Sequence, residues 1–335
     1  MRENNHENNH ENNREHHHEH NHHHEHRIHN EVILPDGSAK AERGRHGRRK
    51  KEKSVKPGSF AYVWRSVSKN KGAVTGMILL ALIVVLCVLS PYICKYKYDE
   101  FNIMDWYQTP NADHLLGTDQ MGRDLLSRVL YGARYTLIIG IAATAMSAVL
   151  GILMGAVAGY FGGFVDSCVM RFLDVFQAFP TLVLAMAFCA VFGTGVDKCI
   201  LALGITGIPG FARLMRANIL RIVNMEYIEA ARTINCPTWK VIAKHIIPNS
   251  VSPVIVEIAM TISRNGLTSS SLSFLGLGVK APKPEWGAML SEARDYIRDF
   301  PHMVIVPGIF IVITVLSFNL IGDAFRDALD PTLKN

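Results

Sequence analysis

GAVTGMILLALIVVLCVLSPYIC, residues 72–94, runs for 23 residues without one charged side chain. At ~1.5 Å rise per residue a helix of that length covers the ~30 Å hydrocarbon core of a bilayer. The stretch therefore reads as a membrane span, and the chain as an integral membrane protein. Immediately upstream, Arg and Lys concentrate between Lys40 and Lys71, which places the N-terminus in the cytoplasm. Residues 95–134 then fall outside, a loop holding Asp99, Glu100, Asp105, Asp113, Asp119 and Asp124.

Further apolar runs follow at the intervals a bilayer demands. They predict spans over about 135–160, 168–192, 200–219, 251–275 and 303–321, about six in all, and an all-α fold class. The second is rich in Gly140, Gly151, Gly155 and Gly159, small residues that let helices approach closely in lipid. Pro180 in the third span, and Gly207, Pro209 and Gly210 in the fourth, predict kinks or interruptions. Between them and the fifth, Arg213, Arg216, Arg221, Arg232, Lys240 and Lys244 mark a cytoplasmic loop. An even number of crossings returns the C-terminus to the cytoplasm. The organisation expected is a tail over 1–56, a first span with its external loop over 57–134, a core over 135–322 containing the loop 226–249, and a C-terminal tail over 323–335.

Composition agrees with a segregated chain: 49% of residues are hydrophobic, yet the first fifty or so are nearly all polar. Twelve of the fifteen histidines fall before Lys50, in blocks that include His16, His17, His18, His22, His23 and His24. Such a segment has no apolar face to pack and reads as a solvated low-complexity tail, with metal collection by the imidazoles as the other reading. Cys87, Cys94, Cys168, Cys189, Cys199 and Cys236 lie in or beside apolar runs without paired spacing, which suggests ordinary buried thiols rather than disulfides or a zinc site. A secretory signal is not expected, because the first apolar run begins some seventy residues in. The net charge of +6 is explained by membrane orientation, and nucleic acid is not an expected partner.

Inside the cytoplasmic loop, Tyr227, Ala230, Ala231 and Ile234 fall at i, i+3, i+4 and i+7, an apolar stripe flanked by Glu226, Glu229 and Arg232. Pro237 suits the first turn of a second helix on which Trp239, Ile242 and Ile246 share a face, and Pro248 is expected to stop it. Two readings stand: a helix pair that docks another protein, or an amphipathic helix on the membrane surface.

EAARTINCPTWKVIAKHIIPN, at 229–249, resembles the EAA loop of ABC-importer permeases. In that family the loop docks on the ATPase subunit, so the resemblance implies contacts by Glu229, Ala230, Ala231, Arg232, Ile246 and Pro248, with Tyr227 beside them. Asn235 stands where the family usually has Gly; Asn is the next best residue for a left-handed turn. HLLGTDQMGRDLLSRVLYGAR at 114–134, SFLGLGVKAPKPEWGAML at 273–290, GDAFRDALDPTLKN at 322–335 and WRSVSKNKGAVTGMILL at 64–80 narrow the resemblance to the dipeptide, oligopeptide and nickel type, and to the second of its two permease partners. It implies a type I ABC importer (MetI-like) permease fold, a second permease subunit, two ATPase subunits that bind ATP and Mg, and an extracytoplasmic solute-binding protein. No G-x-x-x-x-G-K-[ST] occurs, so the chain lacks the loop that would cradle ATP, and no cofactor of its own is expected.

Read physically, 114–134 is a capped external helix with Thr118 or Asp119 at its cap and i, i+4 pairs Asp119–Arg123 and Asp124–Arg128. The stretch 273–290 is turn-rich, a re-entrant or cap-like loop whose Trp286 suits the membrane interface. Glu257 and Arg264 lie seven apart in the fifth span, on one helix face, and at mid-membrane each charge costs at least ~2.5 kcal/mol. They are candidates for the transport pathway or for a structural pair; Ser269 stands where relatives carry an acidic residue. Peptide is the first choice of substrate and a nickel chelate the alternative. A stand-alone secondary transporter is the rival class, and a membrane enzyme is disfavoured because G-x-S-x-G is missing and H-E-x-x-H occurs only within the low-complexity tail, at His6–His10 and His18–His22.

Overall fold

A computed structural model describes residues 60–329, and every regular element among them is a helix. The histidine-rich segment and most of the basic run lie outside the described residues. A short helix α1 (Phe60–Val67) leads into α2 (Lys71–Ile93), whose first turn is capped by Asn70: its side-chain oxygen accepts from the N–H groups of Gly72 at 2.9 Å and Ala73 at 3.3 Å. The chain then forms α3 (Leu125–Phe161), α4 (Gly163–Gln177), α5 (Thr181–Phe192) and α6 (Val196–Ile222). An elbow follows, made of α7 (Glu226–Thr233), α8 (Thr238–Lys240), a π-helical stretch Val241–Ile246 and α9 (Ile247–Ser250). It leads to α10 (Ser252–Phe274), α11 (Trp286–Ala293) and α12 (His302–Leu329).

Helices α2, α3, α6 and α12 are each long and apolar enough to cross a bilayer. Two bent pairs raise the number of spans to six if each counts as one: α4 with α5, at 83°, and Thr238–Ser250 with α10, at 65°. The third expected span is thus broken, because Pro180 ends one helix and caps the next. The fourth is not: α6 runs unbroken through Pro209, which is buried within it. The last helix continues to Leu329, past the residue at which a tail was expected to begin.

The longest helix, α3, is the axis of the bundle. Gly151, Gly155 and Gly159, four residues apart, share the face that meets α6, and a Cβ on Gly155 would lie 2.3 Å from the carbonyl oxygen of Ala212. Backbone therefore packs on backbone here, the close approach that small residues permit in lipid. Ser147 Oγ donates to the Gly204 carbonyl at 2.7 Å across the same seam. One core joins α2, α3, α11 and α12 around Leu125, Val129, Trp286 and Met303; a second joins the far end of α3 to α6 and the elbow. A third gathers α5, α6 and α10 around Cys189, Cys199, Leu203 and Leu272. Cys87, Cys189 and Cys199 are buried thiols as expected, but Cys168 is exposed and Cys94 and Cys236 only partly covered.

Candidate functional site

The elbow stands at the C-terminal end of α3. Glu226 and Glu229 occupy the first turn of α7, where carboxylates complement the helix dipole. The helix ends on Asn235, which takes a left-handed φ of 55°. The Asn235 N–H reaches the Arg232 carbonyl at 2.9 Å and the Cys236 N–H reaches the Ala231 carbonyl at 3.1 Å, a Schellman closure. Asn thus makes the left-handed turn expected of it. The second helix does not stop at Pro248 but runs on to Ser250. Pro248 has no N–H to give to a carbonyl four residues back, and the π-helical turn over Val241–Ile246 accommodates it.

The side chains of the elbow divide in two. Ile228, Ala231, Val241 and Ile246 are buried with Phe211, Met215, Ile219 and Val254 of the bundle. Tyr227, Glu229, Ala230, Arg232, Asn235 and Pro248 face outward, and so do Ile234, 78% exposed, and Trp239, 66% exposed. The stripe read from periodicity is therefore corrected: Ala231 packs with Ile228 on the inner face, while Tyr227, Ala230 and Ile234 lie away from it. Trp239 and Ile246 likewise point to opposite sides. Of the residues that the family resemblance implied as contacts, Ala231 and Ile246 hold the elbow to the bundle. The Arg232 guanidinium sits 4.9 Å from the centre of the Tyr160 ring near the end of α3. Arg213 and Arg216, read as loop residues, belong to α6 and pair with Asp174 and Asp166 of α4.

Beside the break between α4 and α5 a cleft of about 520 Å³ opens against α6 and α10. Glu257 and Arg264 lie in its wall, joined as an ion pair, and Thr261 bridges them: its hydroxyl donates to Glu257 Oε1 at 3.1 Å and accepts from Arg264 Nη2 at 2.8 Å. Ser269 is not with them. It is fully buried on another face of α10, because five residues at ~100° each turn it well away from Arg264.

At the N-terminal end of α3 the chain is tied in a knot of charges. The helix expected within 114–134 starts later than a cap at Thr118 or Asp119 would put it: residues 114–124 turn, and α3 starts at Leu125 with Asp124 as its cap, accepting from the Ser127 N–H at 2.8 Å. Asp124 also meets His114 Nδ1 at 3.0 Å, so it does not pair with Arg128. Arg123 donates to Asp119 and to Glu292 of α11, each at 2.6 Å, and Arg128 binds the same two carboxylates. Two cations thus face two anions, with both arginines, Asp119 and Asp124 buried. Trp286 is core rather than interfacial: it is fully buried and donates from Nε1 to the Val129 carbonyl at 2.9 Å. Gly132 leaves room for that loop, since a Cβ there would meet the Pro284 carbonyl at 2.0 Å. Glu285 caps α11 through the Ala288 N–H at 3.0 Å and accepts from Ser270 at 2.8 Å and Thr136 at 3.2 Å. Burial pushes its carboxyl above the ordinary range, against the pull of those hydrogen bonds. Among the described residues no group of three or more His, Cys, Asp or Glu side chains is arranged to hold a metal ion.

The sequence model for binding-protein-dependent transport system inner membrane components matches residues 125–335, and that for the N-terminal TM domain of oligopeptide transport permease C matches 59–110. The chain is 38% identical over 272 residues to a dipeptide transport system permease protein DppC of Alkalihalophilus pseudofirmus, covering 81% of this chain and 90% of that one. It is 40% identical over 306 residues to a glutathione transport system permease protein GsiD of Pectobacterium atrosepticum, covering 87% and 100%. A di/tripeptide transport system permease protein DppC of Pseudomonas aeruginosa is 39% identical over 287 residues, covering 84% and 95%. Among solved structures, an inward-facing MetNI methionine ABC transporter shares the fold with a TM-score of 0.51 at 18% identity, covering 61% of this chain and 96% of that one.

Proposed function

The chain belongs to the family of binding-protein-dependent transport system inner membrane components, and on that premise we propose that it is the second permease of a peptide-importing ABC transporter, paired with a different permease. The relatives named for dipeptides, di/tripeptides and glutathione support short peptides as the cargo. Energy comes from partner ATPases, and an extracytoplasmic binding protein delivers the peptide. The even number of spans and the basic residues ahead of α2 support placing both termini and the elbow in the cytoplasm.

The observation that carries this reading is the division of the elbow. One face is pegged into the bundle by Ile228, Ala231, Val241 and Ile246, while Tyr227, Ala230, Ile234 and Trp239 stand outward with Glu229 beside them. Apolar groups on a polar, water-facing helix pair suit a partner's groove, and the charges at its rim set register. When the ATPases close on ATP, the elbow moves as a unit, and its pegs carry that motion to α3, α6 and α10. Access to the pathway then alternates between the two sides.

The test is site-specific cross-linking from Ala230 in the assembled importer, together with uptake of a labelled dipeptide. Capture of an ATPase subunit from position 230, and loss of uptake in Glu229→Lys without loss of the inserted protein, are expected. Capture of lipid alone would overturn the docking assignment.

A further inference from the structure

Two charges of α10, Glu257 in its second turn and Arg264 near its midpoint, do not explain themselves by stability. Arg264 is 64% exposed and Glu257 31%, so their ion pair is open to solvent, and such pairs stabilise little. Yet ionisable groups at this depth are costly to insert and persist where they face a water-filled path. These two face the cleft of about 520 Å³, whose wall also carries Gln177, Thr206, Asn265 and Thr268 and the aromatic ring of Phe179. The cleft is large enough for a small solute, polar along α10 and apolar at the break between α4 and α5.

The spacing of the pair is informative. Seven residues of helix separate the two Cα atoms by about 10 Å along the axis. Two extended residues span about 7 Å and three about 10 Å. A dipeptide or tripeptide therefore has its α-ammonium and α-carboxylate about as far apart as these two side chains when they let go of each other. The pairing through Thr261 keeps the empty wall neutral.

We propose that Glu257 and Arg264 form a transient site for a zwitterionic di- or tripeptide inside the cleft, Arg264 taking the α-carboxylate and Glu257 the α-ammonium. Each exchanges its partner on α10 for a terminus of the cargo, so the peptide is held without any new uncompensated charge. Thr261, hydrogen-bonded to both side chains, resets the pair after release. The inference rests on the peptide-importer reading above and adds to it a cargo-contacting position in this chain.

The experiment uses the complete importer with its binding protein, reconstituted in vesicles, and labelled dialanine at saturating concentration. Glu257→Gln and Arg264→Gln are each expected to lower maximal uptake about tenfold or more, the size of one lost charge-assisted hydrogen bond. The double exchange Glu257→Arg with Arg264→Glu rebuilds an ion pair with reversed polarity and is expected to leave uptake low. Recovery in that double variant, or wild-type uptake in the single ones, assigns the pair a structural role and overturns the site. A wild-type importer that ignores dialanine overturns the peptide reading together with the site. As a measurement free of variants, a dipeptide bearing a benzophenone side chain is photolysed during turnover. Adducts within residues 257–268 are expected, and adducts confined to the binding protein or the second permease count against the site.

Discussion

The two ends of α3 solve opposite problems. At its N-terminal end the knot of Asp119, Arg123, Arg128 and Glu292 is closed on itself, each buried charge facing its opposite within the chain. At its C-terminal end the elbow is pegged by apolar side chains on one face and leaves Ile234 and Trp239 in the open on the other. Charge serves where the chain must hold its own loops, since buried ions without partners are costly and their geometry is therefore specific. Exposed apolar surface on the elbow is what the proposed docking of another protein would cover. The closed knot and the open elbow are joined by one continuous helix.

The largest effect is expected in the knot. Asp119→Ala leaves two buried guanidiniums with one carboxylate between them, which costs about 3–5 kcal/mol and is read as a fall in the thermal midpoint of detergent-extracted protein. If that midpoint were unchanged, the knot would not be what fixes this end of α3. Next comes the inner face of the elbow, where Ile246→Ala opens a cavity worth roughly 2–4 kcal/mol against Val254 and Met215. Protection of elbow amides from hydrogen exchange should fall in that variant while α2 is unaffected.

A smaller effect depends on pH. Burial raises the Glu285 carboxyl above its ordinary 4.5, so the folded protein holds this proton more tightly than the unfolded chain. The stability it contributes is complete below 4.5 and is lost as pH rises through the raised value. Glu285→Gln keeps the shape of the protonated acid without titrating. Melting curves of the two proteins are expected to run together at low pH and to diverge in favour of the Gln variant as pH rises. Smallest in stability, within about 0.5 kcal/mol, is Ile234→Asp on the outer face of the elbow. It should nonetheless abolish dipeptide uptake and ATPase copurification. A marked loss of stability there would erase the distinction between the inner and outer faces.

Much of this was legible in the chain. The spans could be read because lipid imposes a length and forbids charge, conditions that sequence displays directly. Asn235 could be placed in a left-handed turn because the family resemblance implied a Gly position there and Asn tolerates the same conformation. The glycines of α3 announced a close neighbour, although only the fold shows that the neighbour is α6. The errors have one cause. Tyr227, Ala230, Ala231 and Ile234 have helical spacing, but α7 ends at Thr233 and Ile228 supplies the peg that periodicity had assigned elsewhere. Asp124 and Arg128 have ion-pair spacing, but Arg128 is drawn to Asp119 and to Glu292, which is 164 residues away.

The amino-acid sequence by itself determined that this chain lives in a membrane, about where its apolar spans lie and which loop resembles the family's EAA motif. These follow from local rules of hydropathy, backbone freedom and spacing. Tertiary structure alone decided which side of the elbow is free, that the Glu257 and Arg264 pair opens on a cleft while Ser269 does not, and that the distant Glu292 closes the knot begun by Asp119, Arg123 and Arg128. Those outcomes depend on which surfaces meet, and long-range packing leaves no periodic trace in the residues that take part in it.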